Sequence, residues 1–196
     1  MRRKGIFCLE GDWSNDLRRP SSVEPILELL DHQETHNLRH VHHDVATVAE
    51  LEHWLRKWRQ NGSRAYRILY LAFHGEPGKL LIGDLRKPKN VIDLDWLAGQ
   101  LDDKCSGRII FFGGCSVMNI DARHLKRFLR TTGAVAVCGY CADVDWVVSA
   151  AFELIALRAM QHNAFIVRGA RAIHRRIRQQ ARGLVRDLDF RMVVNE

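Results

Sequence analysis

The sequence predicts an α/β fold, a three-layer sandwich around a mostly parallel central sheet, and three observations carry that expectation. Apolar runs of strand length alternate with amphipathic helical patterns along the chain. "RILYLAF" at Arg67–Phe73 and "RIIFF" at Arg108–Phe112 are apolar at nearly every position, as strands covered on both faces are. Serine, threonine or aspartate before the helical stretches, and glycine after them, supply start and stop signals. Four or five strand–helix units in succession imply parallel strands joined by right-handed crossovers.

Taken in order, "GIFCL" at Gly5–Leu9 reads as the first strand, closed by Glu10 and Gly11. In "SSVEPILELLDHQ", Ser22 is spaced to cap a helix whose apolar face is Val23, Ile26, Leu27 and Leu30. Leu38–Val45 is the second strand. In "TVAELEHWLRKWRQNG", Thr47 and Glu50 have capping-box spacing and Leu51, Trp54, Leu55 and Trp58 share a face; Asn61 and Gly62 stop the helix. After the strand Arg67–Phe73, "KLLIGD" suits a short hairpin piece and "DLDWLAGQLDD" a helix. The strand Arg108–Phe112 leads to the helix "DARHLKRFLRTTG", ended by Gly133, and then to the strand Ala134–Cys138. "DWVVSAAFELIALRAM" is apolar most of the way round, which predicts a buried helix, and "AIHRRIRQQARGLV" completes the chain as a basic helix. No repeat or linker divides the 196 residues, so a single domain, 1–196, is expected, with a basic helical C-terminal segment from about residue 168.

Hydrophobic residues make up 46% of the chain and charged residues 27%, proportions of a globular protein. No apolar run approaches the roughly 20 residues that span a bilayer, and the start, "MRRKGIFCLEGDW", is too briefly apolar for a signal peptide. A cytoplasmic location without a membrane partner is therefore expected. Cys8, Cys105, Cys115, Cys138 and Cys141 fit reduced thiols in such a compartment. The net charge of +7 is densest between Arg168 and Arg186, where it serves either an anionic partner or a solvated helix face.

The chemistry gathers at two strand ends. "YLAFHGEPG" stops at His74 and Gly75, and "IIFFGGCSV" stops at Gly113, Gly114 and Cys115. In open parallel sheets the functional rim lies at the carboxyl ends of the strands. If the two strands are neighbours, about 4.8 Å apart, imidazole and thiol face one cleft. A base beside sulfur is what thiol nucleophiles need, and the amides of Gly75 and Cys115 are spaced to hold an oxyanion. Taken singly, each residue also has a plain structural reading, as a buried cysteine and a backbone-bonded histidine.

With its strand–"HG"–unit–strand–"GCS" order, from "GIFCLEG" through "ALRAM", the chain resembles the caspase-like cysteine peptidases of clan CD, in their bacterial CHAT and metacaspase-like branch. The resemblance implies a caspase-like fold and a dyad of His74 as general acid/base and Cys115 as nucleophile, with Gly75 in the oxyanion hole and no third member. It implies a protein or peptide substrate and no cofactor. It also implies a specificity pocket bordered by the loop after the first strand, which holds Glu10, Asp12 and Asp16, and by "GYCADVDW", which holds Asp143 and Asp145. Carboxylates there would suit a basic P1 side chain; Asp143 and Asp145 equally suit the capping of the next helix. Neither an animal-caspase processing site nor a calcium site is evident. A bacterial member of this size suggests a regulated effector in antiviral defence, switched by an activating partner or a small signalling nucleotide.

Other clusters weigh less. "HQETHNLRHVHH" brings His32, His36, His40, His42 and His43 together without the remaining ligands of a metal helix, so no metal is expected. "CGYC" at Cys138–Cys141 has C-x-x-C spacing but does not open a helix after an early strand. Ser116 lacks the G-x-S-x-G setting of a nucleophilic serine. Two further readings compete with the peptidase: a catalytically silent α/β module binding an anionic nucleotide or nucleic acid, and a thiol amidase acting on a small molecule. Under the peptidase reading nucleic acid is not an expected partner.

Overall fold

In a computed structural model of the chain, the described residues are 4–14, 18, 21–32, 38–60, 65–84 and 87–196. Strands β1 (Gly5–Glu10), β2 (His40–Asp44), β3 (Tyr66–Ala72), β7 (Ile109–Phe112), β8 (Ala136–Tyr140) and β9 (Phe190–Val194) form one sheet in the order β2-β1-β3-β7-β8-β9. All its pairings are parallel except β8 with β9. A second, antiparallel sheet joins β4 (His74–Glu76), β5 (Lys79–Leu81) and β6 (Val91–Asp93) at the rim where β3 ends.

The period-two rule of strands divides each run between two cores. Ile68, Tyr70 and Ala72 of β3 face one cluster, while Leu69, Leu71 and Phe73 face the other. The first cluster is closed by helices α1 (Glu24–Asp31), α5 (Trp146–Ala159) and α6 (Val167–Gln180), through residues such as Leu27, Phe152 and Ile173. The second is closed by α2 (Val48–Arg59), α3 (Leu94–Leu101) and α4 (Ala122–Thr132), through Leu55, Leu97 and Phe128. Helix–sheet–helix layering is therefore the observed architecture. No helix among the described residues is long and apolar enough to cross a membrane.

The expected capping box of α2 is present, with Thr47 accepting from the Glu50 amide. Its expected stop at Asn61 and Gly62 lies outside the described residues. Gly133 ends α4 in the left-handed conformation at φ 70°. Ser22 is displaced by one residue from the expected cap: Val23 is the N-cap, and Ser22 Oγ accepts the Glu24 amide instead.

The C-terminus differs from the expectation of a final basic helix. After α6 the chain makes the short helix α7 (Arg182–Asp187), turns at Asp189 with φ 44°, and returns as β9 against β8. Phe190 and Met192 alternate into the core. That two-residue period was overshadowed by the stronger helical pattern just before it.

Candidate active site

β3 and β7 are adjacent, in register from Ile68↔Ile109 to Leu71↔Phe112, and the Gly113 amide extends the ladder to Leu71 O at 2.9 Å. Parallel neighbours end at one rim, so the segments after Phe73 and Phe112 leave the sheet side by side. Their backbones then touch. A Cβ on Gly75 would stand 2.5 Å from Cys115 O, and one on Gly114 would collide with Phe73 O. Only glycine permits this approach, and it sets His74 and Cys115 on the wall of one cavity of about 260 Å³.

Two protein contacts prepare the pair. The Trp13 carbonyl lies 3.2 Å from His74 Nε2. A carbonyl only accepts, so Nε2 carries a proton and the neutral ring keeps its lone pair on Nδ1. The Trp13 indole packs edge-on to His74 at 5.2 Å and to Trp146 at 5.1 Å. The Val144 amide donates to Cys115 Sγ at 3.4 Å, a donor placed to hold negative charge on sulfur. The Cys115 amide has no hydrogen-bond partner among the described residues, which leaves it available to an oxyanion.

The other cysteines lie in different surroundings. Cys8, Cys105 and Cys138 are fully buried, and burial raises all three thiols, Cys105 to about 12. Cys138 is a fully buried residue of β8, so the C-x-x-C pair is no exposed redox site. Cys141 is half-buried and raised by burial and by Asp189. Ser116, at φ 57°, turns its hydroxyl to Asp143 at 2.8 Å.

The acids expected around the pocket separate into different roles. Asp145 caps α5, accepting the amides of Val147 and Val148 at 2.9 and 3.0 Å, and Asp143 holds Ser116. From that loop it is Val144 and Trp146 that line the cavity. Asp12 accepts the Ser14 amide in a tight turn and borders a separate hollow, and Asp16 lies outside the described residues. Glu10 is buried, with 2% of its surface exposed. Its carboxylate accepts from Trp13 Nε1, Ser22 Oγ, the Val23 amide and His42 Nε2. One possible ligand atom from each of Glu10, His42 and Asp44 lies within 4.8 Å of the other two. Both Glu10 oxygens already accept hydrogen bonds, His42 Nε2 donates one of them, and Asp44 is exposed. Of the remaining histidines, His43 stacks on Trp54 at 3.5 Å and His40 faces Asp31 at 3.6 Å.

The carboxylate that does line the cavity is Glu153, on α5. It is 3% exposed and accepts the hydroxyls of Tyr70 at 2.7 Å and Tyr140 at 3.0 Å. Burial raises its pKa to about 7, against the lowering by the two tyrosines. Sequence reading missed this residue and Trp13. The signal was there for Glu153, a lone acid inside "SAAFELIALRAM", whose other inward positions are apolar but for Ser149. Apolar walls from Trp13, Val23, Ile26, Val144 and Trp146 surround it. Such a site can accept a long side chain with a cationic tip.

No curated protein matches the chain. Residues 3–194 match the model of a family of unknown function, DUF6642, and the chain belongs to that family.

Proposed function

We propose that this protein is a caspase-like cysteine endopeptidase that cleaves after arginine or lysine. One observation carries the reading: the ends of two adjacent parallel strands deliver an imidazole and the half-buried Cys115 thiol to one cavity, with Gly75 packed on the cysteine backbone. Cys115 sulfur attacks the peptide carbonyl carbon, and the oxyanion forms against the amides of Gly75 and Cys115. The proton taken from the thiol passes through His74 to the leaving amine as the C–N bond breaks, leaving a thioester. His74 then takes a proton from water, water attacks the thioester, and the thiolate departs. Throughout, the Trp13 carbonyl keeps the imidazole oriented.

The P1 preference rests on Glu153. An arginine or lysine tip reaching that carboxyl favours its ionised form and makes a charge-assisted pair in a low-dielectric site. The test is hydrolysis of fluorogenic peptides differing only at P1. Arginine and lysine substrates are expected to be cleaved, with kcat/KM falling by at least about 10³-fold in Cys115→Ala and comparably in His74→Ala. Cleavage that survives Cys115→Ala defeats the peptidase; equal rates for acidic and basic P1 defeat the role of Glu153.

A further inference from the structure

A second cavity, of about 610 Å³, opens between α6, α7 and β9, about 70 residues further along the chain than Cys115. His174, Arg178, Arg182, Arg186, Asp189 and Arg191 line it. Arg186 is paired with Asp187 at 2.9 Å, and Arg171 outside the cavity is paired with Glu196. Arg178 and Arg182 are exposed and take part in no ion pair among the described residues. Three arginines, Arg178, Arg182 and Arg186, thus line one cavity where Asp187 and Asp189 are the nearby acids, while the Arg191 guanidinium is bonded elsewhere. Half-buried His174 responds to the crowding: burial first, and Arg178 second, hold its imidazole below the usual range. Convergent arginines, with planar forks that meet paired oxygens, match phosphate better than a single carboxylate.

The cavity is also joined to the loop that carries Cys115. Arg191 Nη1 donates to Met118 O at 3.1 Å and to Ile120 O at 2.8 Å. The Cys141 amide donates to Asp189 O at 3.0 Å, and next to it Ala142 O accepts the Ser116 amide. Residues on the cavity wall therefore hold both strands of backbone that position Cys115.

We propose that this pocket binds a small anion carrying two or more linked phosphate groups, and that the bound anion restrains the Cys115 loop through Arg191. The binding stands by itself; the restraint deepens the peptidase reading and rests on it. Bound phosphate oxygens neutralise Arg178 and Arg182 and hold the Asp189–Arg191 corner against α6 and α7. Free oligophosphate and the phosphate chain of a nucleotide share this chemistry.

Isothermal titration of the full chain with inorganic tripolyphosphate, and in parallel with ATP, tests it. One site is expected, weakened by about 10-fold or more in the double variant Arg178→Gln/Arg182→Gln, which removes two of the charged donors. The outward pair Arg171→Gln/Arg175→Gln should leave affinity within about twofold, because exposed charges at a distance are screened. ATP binding more tightly than tripolyphosphate identifies a nucleotide as the occupant; equal affinities identify the phosphate chain alone. No saturable binding, or equal loss in both double variants, overturns the site, as does tighter binding of a single-stranded oligonucleotide that depends on the outward pair. For the restraint, iodoacetamide labelling of Cys115 should change at least about threefold at saturating tripolyphosphate, a shift lost in Arg178→Gln/Arg182→Gln. Unchanged labelling overturns the restraint. Titration of Cys115→Ala protein separates the two readings, because an intact site there stands even if peptidase activity is never observed.

Discussion

Glu10 and Glu153 are both almost wholly buried on the same side of the sheet, yet their surroundings push them in opposite directions. Burial alone would raise either carboxyl. Around Glu10, bonds from His42, Ser22, Trp13 and the Val23 amide outweigh burial and hold it below its usual range. Around Glu153 two tyrosine hydroxyls do not suffice, burial dominates, and the nearby Glu10 charge adds to the rise. The first site is complete: it ties β1, the Trp13 loop, α1 and β2 together, and every oxygen is used. The second has one hydroxyl on each oxygen where Glu10 has two bonds on each, and it faces a cavity, so a cation has something to gain there. Burial of an acid marks function only when its hydrogen bonds are unfinished.

The largest expected effect strikes the completed site. Glu10→Ala strands His42, the Trp13 indole and the Val23 amide, and should cost about 3–5 kcal/mol in urea unfolding, as removal of one partner from a buried charged network does. It should also impair activity, because the Trp13 carbonyl that orients His74 belongs to the same loop. A loss below about 1 kcal/mol would mean that Glu10 is not the hub its bonds describe. Next comes Glu153→Gln. Leaving a buried cation unpaired costs about 2–5 kcal/mol, so kcat/KM for an arginine substrate should fall about 30-fold or more. A norleucine substrate should be nearly unaffected, and parallel losses on both would contradict the assigned role.

The pH dependence of stability separates the two acids further. Glu153 has a folded pKa of about 7 against 4.5 unfolded, so between those values the folded chain binds more protons than the unfolded one. Its contribution is therefore complete below the unfolded value and is lost as pH rises through about 7. The stability difference between wild type and Glu153→Gln should drift across this window by up to about 3 kcal/mol, with the variant gaining toward pH 8. Glu10 has the reverse sign: its lowered pKa gives stability present at neutral pH and lost as acid protonates it, while the raised pKa of His42 gives stability lost on the alkaline side. A flat difference curve for Glu153→Gln would show that its carboxyl is not raised. The smallest effect belongs to Asp145→Ala, about 1 kcal/mol from the lost helix cap, with the ratio of arginine to norleucine cleavage unchanged.

Much of this was legible in the residues. The layered fold followed from near-continuous apolar strands such as Arg67–Phe73, because two-sided burial leaves no polar face to mislead. His74 and Cys115 were legible because each interrupts such a run beside glycine. Glu10, Asp143 and Asp145 had the right residue type and neighbourhood for a pocket, but spacing along a chain does not tell which donors reach a carboxylate; here amides and hydroxyls claim all three. Glu153 was hidden by the strength of its own helix, which read as uniform core. β9 was hidden because one antiparallel strand after two basic helices leaves only the brief alternation of Phe190 and Met192.

The dyad is tested most directly by a peptidyl acyloxymethyl ketone with arginine at P1, followed by intact-mass measurement and peptide mapping. A single adduct is predicted, on Cys115, absent in Cys115→Ala and formed about 10²-fold or more slowly in His74→Ala. An adduct on Cys141, or Cys115 labelled as fast without the imidazole as with it, would contradict the account.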